Sequence, residues 1–124
     1  MKAKIKGSNA EREMQRMLSE KGYVVMRIAG SGSSRFPACD LIAAKDNIIF
    51  VIEVKSSIRN RVYIKKRQME ELEYLARKFN AVLNIVAKMK GKWYLFIPEN
   101  MKYITNKYYV LRREEGIEWS KVIL

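Results

Sequence analysis

The sequence predicts a mixed α/β fold in one domain, a central mixed five-stranded sheet flanked by helices. Three observations predict it. The chain has 124 residues, 48% of them apolar, which is enough for one cooperative core and too short for two ordinary domains. Two segments carry apolar residues at helical spacing, and five short runs are rich in β-branched and aromatic residues, in the order αβββαββ.

The domain is expected to span 1–124, with 1–6 a flexible basic N-terminus. Ser8-Asn9-Ala10-Glu11 reads as a capping box, in which the Ser8 hydroxyl and the Glu11 carboxylate satisfy two orphan amides and open the first helix. Ala10, Met14, Met17 and Leu18 form its apolar stripe, and Gly22 suits the position after its end. A β-rich run over 23–28 follows, broken by a Gly/Ser-rich loop over 29–34 that continues through Ala38. Residues 40–44 and 48–55 read as strands joined at Asp46-Asn47. The second helix is predicted to begin near Ile64 or Lys65, with Met69, Leu72, Leu75, Ala76 and Phe79 as its apolar stripe. Its first turn, Lys65-Lys66-Arg67, opposes the helix dipole, which calls for an anion such as a phosphate at that end. Residues 81–88 and 92–98 read as strands about Lys90-Gly91. The tail, with Trp119, Val122 and Leu124, shows no clear period. With Phe96 and Ile97 it offers either a subunit contact or closure of the chain's own core.

Twenty-five Lys and Arg against thirteen Asp and Glu leave a formal charge of +12, far beyond what solubility requires. Lys/Glu enrichment of the thermophile kind would give balanced charge instead. A polyanionic partner, nucleic acid foremost, is therefore expected. The lone Cys39 forms no internal disulfide. With no His in the chain, a bound metal is expected to take oxygen ligands. The apolar runs fall far short of the roughly 20 residues that span a bilayer, and no apolar h-region follows the basic N-terminus. No membrane partner and cytoplasmic, nucleoid-associated residence are expected.

The sharpest local signal is Glu53-Val54-Lys55 at the end of an apolar strand. Alternation places Glu53 and Lys55 on one face, where charge is costly unless paired or coordinating. If Asp46-Asn47 is a two-residue primed turn, cross-strand pairs sum to 93 and Asp40 faces Glu53, with Cβ atoms about 4.5 to 5.5 Å apart. Two such carboxylates repel one another unless a divalent cation lies between them. A slip of one residue would put them on opposite faces. Lys55 stands diagonally beyond. Asp40, Glu53 and Lys55 thus supply the parts for metal-assisted phosphodiester hydrolysis: two ligands and a cation to position the nucleophile or stabilise the transition-state charge. An ordinary salt-bridged strand end would show the same three residues. Glu11, at the border of the first helix's apolar stripe, is either the capping-box partner or a third carboxylate leaning toward that site. Arg12 points outward, where it suits a phosphate.

Four stretches, Lys6-Gly7-Ser8-Asn9-Ala10-Glu11-Arg12-Glu13, Val25-Met26-Arg27-Ile28-Ala29-Gly30-Ser31-Gly32-Ser33, Pro37-Ala38-Cys39-Asp40-Leu41-Ile42-Ala43 and Ile52-Glu53-Val54-Lys55, follow one another in an order and spacing that resembles the archaeal Holliday-junction resolvases. These belong to the restriction-endonuclease-like PD-(D/E)xK nucleases. The resemblance implies that Glu11, Asp40 and Glu53 form the acidic metal site and that Lys55 is the catalytic lysine. It also implies that Ser31 approaches the metal or scissile phosphate, and that Arg12 and Arg27 hold DNA phosphates. Lys4, Lys6, Lys65, Lys66 and Arg67 extend that basic set, and Gln68 would face the site. It further implies a homodimer that cuts two opposed strands of a four-way junction with Mg²⁺, Mn²⁺ being a substitute, in DNA recombination and repair. One departure is visible: Cys39 stands where the family often has Pro immediately before the aspartate. Competing readings are another PD-(D/E)xK nuclease acting on flaps, mismatches or duplex, and a non-catalytic basic architectural protein.

Overall fold

The computed structural model describes residues 2–30 and 35–122, excepting the side chains of 2–6. The first helix, α1, runs Lys2–Glu20. It opens well before the expected cap, so Ser8 lies inside it and its Oγ accepts a bond from Arg27 Nη2 at 3.2 Å. Lys, Ala and Ile ahead of Ser8 are all compatible with helix, and Gly7 alone costs only about 1 kcal/mol, so the segment 2–6 joins the helix. The helix ends in a turn at Gly22, whose φ of 93° suits glycine, and it buries Ala10, Met14 and Leu18.

Strand β1 (Val24–Arg27) pairs antiparallel with β2 (Leu41–Lys45), and β2 with β3 (Ile48–Ser57). Asp46 and Asn47 both have positive φ, 52° and 66°, as a type I′ turn requires. The ladder pairs Leu41 with Ile52 and Lys45 with Ile48, the register predicted from the turn. Strand β4 (Arg61–Lys65) leads straight into α2 (Lys66–Phe79). The helix carries the chain back to β5 (Val82–Met89), which lies parallel to β3, the crossover that a parallel pair needs. A turn at Lys90 and Gly91, both at positive φ, returns β6 (Lys92–Phe96) antiparallel to β5. Strand β7 (Tyr108–Arg112) and the two-residue β8 (Ile117–Glu118) follow.

The main sheet is mixed and ordered β1-β2-β3-β5-β6-β8, six strands against the five expected, the sixth being too short to mark itself by alternation. A separate two-stranded sheet, β4 with β7, was not anticipated. Arg61-Val62-Tyr63-Ile64-Lys65 alternates as a strand should, and its buried residues are Val62 and Ile64. That signal merged with the start of the helix, which begins at Lys66 with Lys65 as its cap, close to the start expected near Ile64 or Lys65.

Two apolar layers cover the main sheet. Helix α1 packs with Leu41, Ile52, Val54, Val86, Trp93 and Leu95. On the other side α2 and the small sheet enclose Val51, Ile64, Met69, Leu72, Ile85, Phe96 and Leu111. The tail belongs to this core: Trp119 and Val122 pack on the α1 layer and Phe96 is 1% exposed, so these side chains close the chain's own interior. Leu124 lies outside the described residues.

Candidate active site

The hairpin β2–β3 brings the first two acidic groups together. Asp40 sits one residue before β2, where its backbone oxygen still accepts from the Ile28 N–H at 2.9 Å. Its Oδ2 turns across the strand end and accepts from the Val54 N–H at 2.8 Å. Glu53 lies next to Val54, with only 5% of its surface exposed, and Asp40 is 9% exposed. The predicted facing of Asp40 and Glu53 therefore holds.

The proximity is visible electrostatically. Burial first, and then the charge of Asp40, push the Glu53 carboxyl up to about 8, and a hydrogen bond with Asp40 keeps the proton in place. Lys55 works against this, its Nζ lying 3.4 Å from Glu53 Oε2. Gln68, in the first turn of α2, ties the pair together: its Nε2 donates to Glu53 Oε2 at 2.7 Å, and its Oε1 accepts from Lys55 Nζ at 3.4 Å. Gln68 thus faces the site as expected, by clamping the carboxylate and the ammonium. Desolvation and the same two carboxylates push the Cys39 thiol up to about 11, so it stays neutral beside them.

Glu11 approaches from α1. It is raised by burial and then by Asp40, and lowered by Arg27. Arg27 Nε donates to its Oε1 at 3.0 Å. The capping-box role lapses with the earlier helix start, and the side chain stands beside Asp40, held by Arg27. Among the described residues no set of three or more His, Cys, Asp or Glu side chains comes together as a metal cluster. Asp40 and Glu53 are gathered; Glu11 is near but engaged elsewhere. A buried carboxyl that keeps its proton beside a second acidic oxygen donor is suited to a hard divalent cation, which replaces the proton by a larger charge.

The basic residues divide. Arg12 and Lys65 are exposed, Lys66 is partly buried, and Arg67 is open apart from a loose pair with Glu71 at 3.8 Å. Arg27, expected on DNA, is partly buried and occupied by Glu11 and Ser8. The side chains of Lys4 and Lys6, and Ser31 altogether, lie outside the described residues.

Sequence reasoning assigned no role to Glu13. Its carboxylate accepts from Lys88 Nζ at 2.7 Å and from Trp93 Nε1 at 2.9 Å, fixing α1 to β5 and β6. Gln15 adds a bond to the Val25 carbonyl at 3.1 Å. A carboxylate two residues from Glu11 on a helix with an apolar stripe was the one signal available for it. No helix among the described residues is long and apolar enough to cross a membrane.

The family model described as archaeal Holliday junction resolvase (Hjc) matches residues 2–124. The crossover junction endodeoxyribonuclease Hjc of Archaeoglobus fulgidus is 34% identical over 104 residues, 84% of this chain and 76% of that protein. The Hjc protein of Sulfolobus acidocaldarius is 36% identical over 118 residues, covering 94% and 76%. The crystal structure of A. fulgidus Hjc, described as a Holliday junction resolvase, superposes with a TM-score of 0.81 at 28% identity, covering 90% of this chain and 95% of that one. The likeness extends through the β2–β3 hairpin that carries the acidic pair to the closing strands, and this chain is a member of the archaeal Holliday junction resolvase family.

Proposed function

We propose that this protein is a Mg²⁺-dependent endonuclease that resolves four-way DNA junctions in recombination and repair on the nucleoid, with the whole chain acting as one nuclease domain. The observation that carries the reading is the buried Asp40–Glu53 pair, in which burial, and after it the charge of Asp40, keeps a proton on Glu53 well into the neutral range. Asp40 and Glu53 hold the ion, and Glu11 supplies a further carboxylate beside Asp40. A divalent ion bound there supplies Lewis-acid polarisation of the phosphate and a water of lowered pKa; Mn²⁺ shares the oxygen preference.

The remaining parts are the chain's own. Gln68 fixes the rotamer of Glu53, so the carboxylate is set before substrate arrives. Lys55, within 3.4 Å of both, presents a cation to the attacking oxygen or to the charge that grows on the phosphate. Arg12, Lys65, Lys66 and Arg67 hold DNA phosphates, which positions the duplex without reading its sequence. Lys4 and Lys6 belong to the same interface, Ser31 approaches the metal or the scissile phosphate, and Arg27 reaches phosphate at the edge of the site while holding Glu11.

A junction has two-fold symmetry, so paired nicks follow most simply from an isologous dimer. With the tail folded into the core, the exposed apolar side chains Tyr74 and Phe79 of α2 and Val82 of β5 support a contact there. The test is a synthetic four-way junction, its arms labelled one at a time, incubated with protein and Mg²⁺ beside linear and forked DNA. Paired symmetric nicks on the junction alone are expected, with Asp40→Ala and Glu53→Ala binding the junction but not cutting it. Equal cutting of linear duplex would replace junction resolution by general nuclease action. Binding with no cutting under any divalent metal would reduce the protein to an architectural DNA binder.

A further inference from the structure

The small sheet presents two unlike faces. Val62, Ile64 and Leu111 turn inward and are buried in the α2 layer, with Tyr109 packed against it. Alternation sends Arg61, Tyr63 and Lys65 of β4 and Tyr108, Val110 and Arg112 of β7 the other way. Tyr103 extends this outer face, because the Val110 N–H donates to its carbonyl at 2.9 Å and Ile104 bridges Tyr109 beside it. Tyr63 is 52% and Tyr103 46% exposed, Tyr108 is half-buried, and Val110 on the same face is itself buried, so the open part of the face is aromatic and basic. The rings are mutually ordered: Tyr63 and Tyr108 meet edge to face at 5.7 Å, and the Arg112 guanidinium lies 3.6 Å from the centre of Tyr103.

Charge has an unusual bias here. Residues 58–68 and 101–113, which contain these strands, hold nine of the chain's 25 basic residues and none of its acidic ones. Arg112 is engaged, stacked on Tyr103 and 3.6 Å from Glu115, whereas Arg61 and Lys65 are open to solvent. Lys65 joins β4 to α2, whose Gln68 touches Glu53, so the face adjoins the acidic site.

We infer that the outer face of the β4–β7 sheet is a stacking platform for unpaired bases of single-stranded DNA. A duplex hides the faces of its bases, so aromatic rings gain little from it, whereas a single strand offers a π-face at every nucleotide and a phosphate for each cation between rings. A second copy of this chain would set Arg61 and Lys65 against their own kind, which like-charge repulsion opposes. This surface is made by residues other than the acidic ones, so binding to it does not depend on a metal ion.

The test uses the purified full chain without divalent metal, titrated by fluorescence anisotropy into a labelled single strand of about 12 nucleotides and into a blunt duplex of that length. Tyr63→Leu with Tyr108→Leu keeps apolar bulk and removes the rings. It is expected to weaken single-strand binding about 5- to 100-fold, the loss of one stacked base or more, with duplex affinity within about two-fold. Tyr63→Phe retains the ring and the affinity. Unchanged single-strand binding in the double variant overturns the inference, as does an equal loss for both DNAs, which would mark a purely electrostatic or folding effect. A dimer-to-monomer shift of the double variant in sedimentation, with single-strand binding intact, would reassign the face to a protein contact. A double variant that fails to fold passes the decision to Tyr63→Leu alone, read against Tyr63→Phe.

Discussion

Replacing Glu53 with Gln isolates the electrostatic cost of the acidic pair. In the folded protein the Glu53 proton is held to about 8, whereas the ordinary value is 4.5. The folded state therefore binds more protons than the unfolded chain between those values, and stability must fall as pH rises through that window. At 1.36 kcal/mol per pH unit the difference amounts to roughly 5 kcal/mol, a large share of the about 5 to 15 kcal/mol that a domain possesses. Below about pH 4.5 the carboxyl is neutral in both states and the penalty is absent. Glu11 is shifted in the same direction and adds to the trend, while Glu13 is shifted the other way and acts at lower pH. The assay is denaturant unfolding in EDTA at about pH 5, 6, 7 and 8, wild type beside Glu53→Gln. Wild type should lose several kcal/mol across the series, and the variant, neutral at every pH, most of that slope. Mg²⁺ added at about pH 8 should restore wild-type stability by mass action and leave the variant nearly unmoved. Parallel pH profiles for the two proteins would refute both the burial argument and the claim that a cation takes the proton's place.

Lys55→Ala should lower the rate of junction cleavage about 10²- to 10³-fold, the usual loss for a group that stabilises transition-state charge, with junction affinity in a gel-shift assay nearly unchanged; an equal loss of binding would make Lys55 a phosphate contact only. Glu13→Gln removes the ion pair with Lys88 and weakens the bond from Trp93, for a destabilisation of about 1 to 3 kcal/mol by denaturant unfolding. Since the Glu13 carboxyl is held below its ordinary value, that difference should shrink as pH falls through its folded pKa. Gly116→Ala meets no backbone objection, its φ being −92°, but the new Cβ would stand 2.8 Å from Phe96 Cζ and 3.0 Å from Tyr94 Cβ. A loss of about 1 to 3 kcal/mol is expected, and an unchanged unfolding midpoint would show that Phe96 yields freely.

What the sequence made legible was local. Asp46-Asn47 demands a primed turn, the turn dictates the register, and the register places Asp40 beside Glu53; every step lies within 14 residues. The apolar runs of β3 and β5 were legible as strands of a mixed sheet, but that these two lie parallel to each other is seen only in the structure. The pairing of β4 with β7 was hidden because its partners lie some 47 residues apart and neither strand is apolar throughout. The tail gave no period because it packs through scattered side chains, Trp119 and Val122 among them, instead of through a regular face.

The same distinction divides the acidic site. The separation of Asp40 and Glu53 is fixed by a hairpin and survives modest changes in packing elsewhere. The position of Glu11 depends on how α1 lies over the sheet, and that is set by Glu13 against Lys88 and Trp93, by Gln15 against Val25, and by burial of Met14 and Leu18. Arg27 sits where the two systems meet, bonded to Glu11 and to Ser8 on a strand paired with β2. A change that loosens α1 should therefore displace Glu11 and leave the Asp40–Glu53 pair, with its raised carboxyl, where it is. In Glu13→Gln the pH slope that Glu53 imposes on stability should persist while junction cleavage falls, which separates the contribution of the third carboxylate from that of the other two.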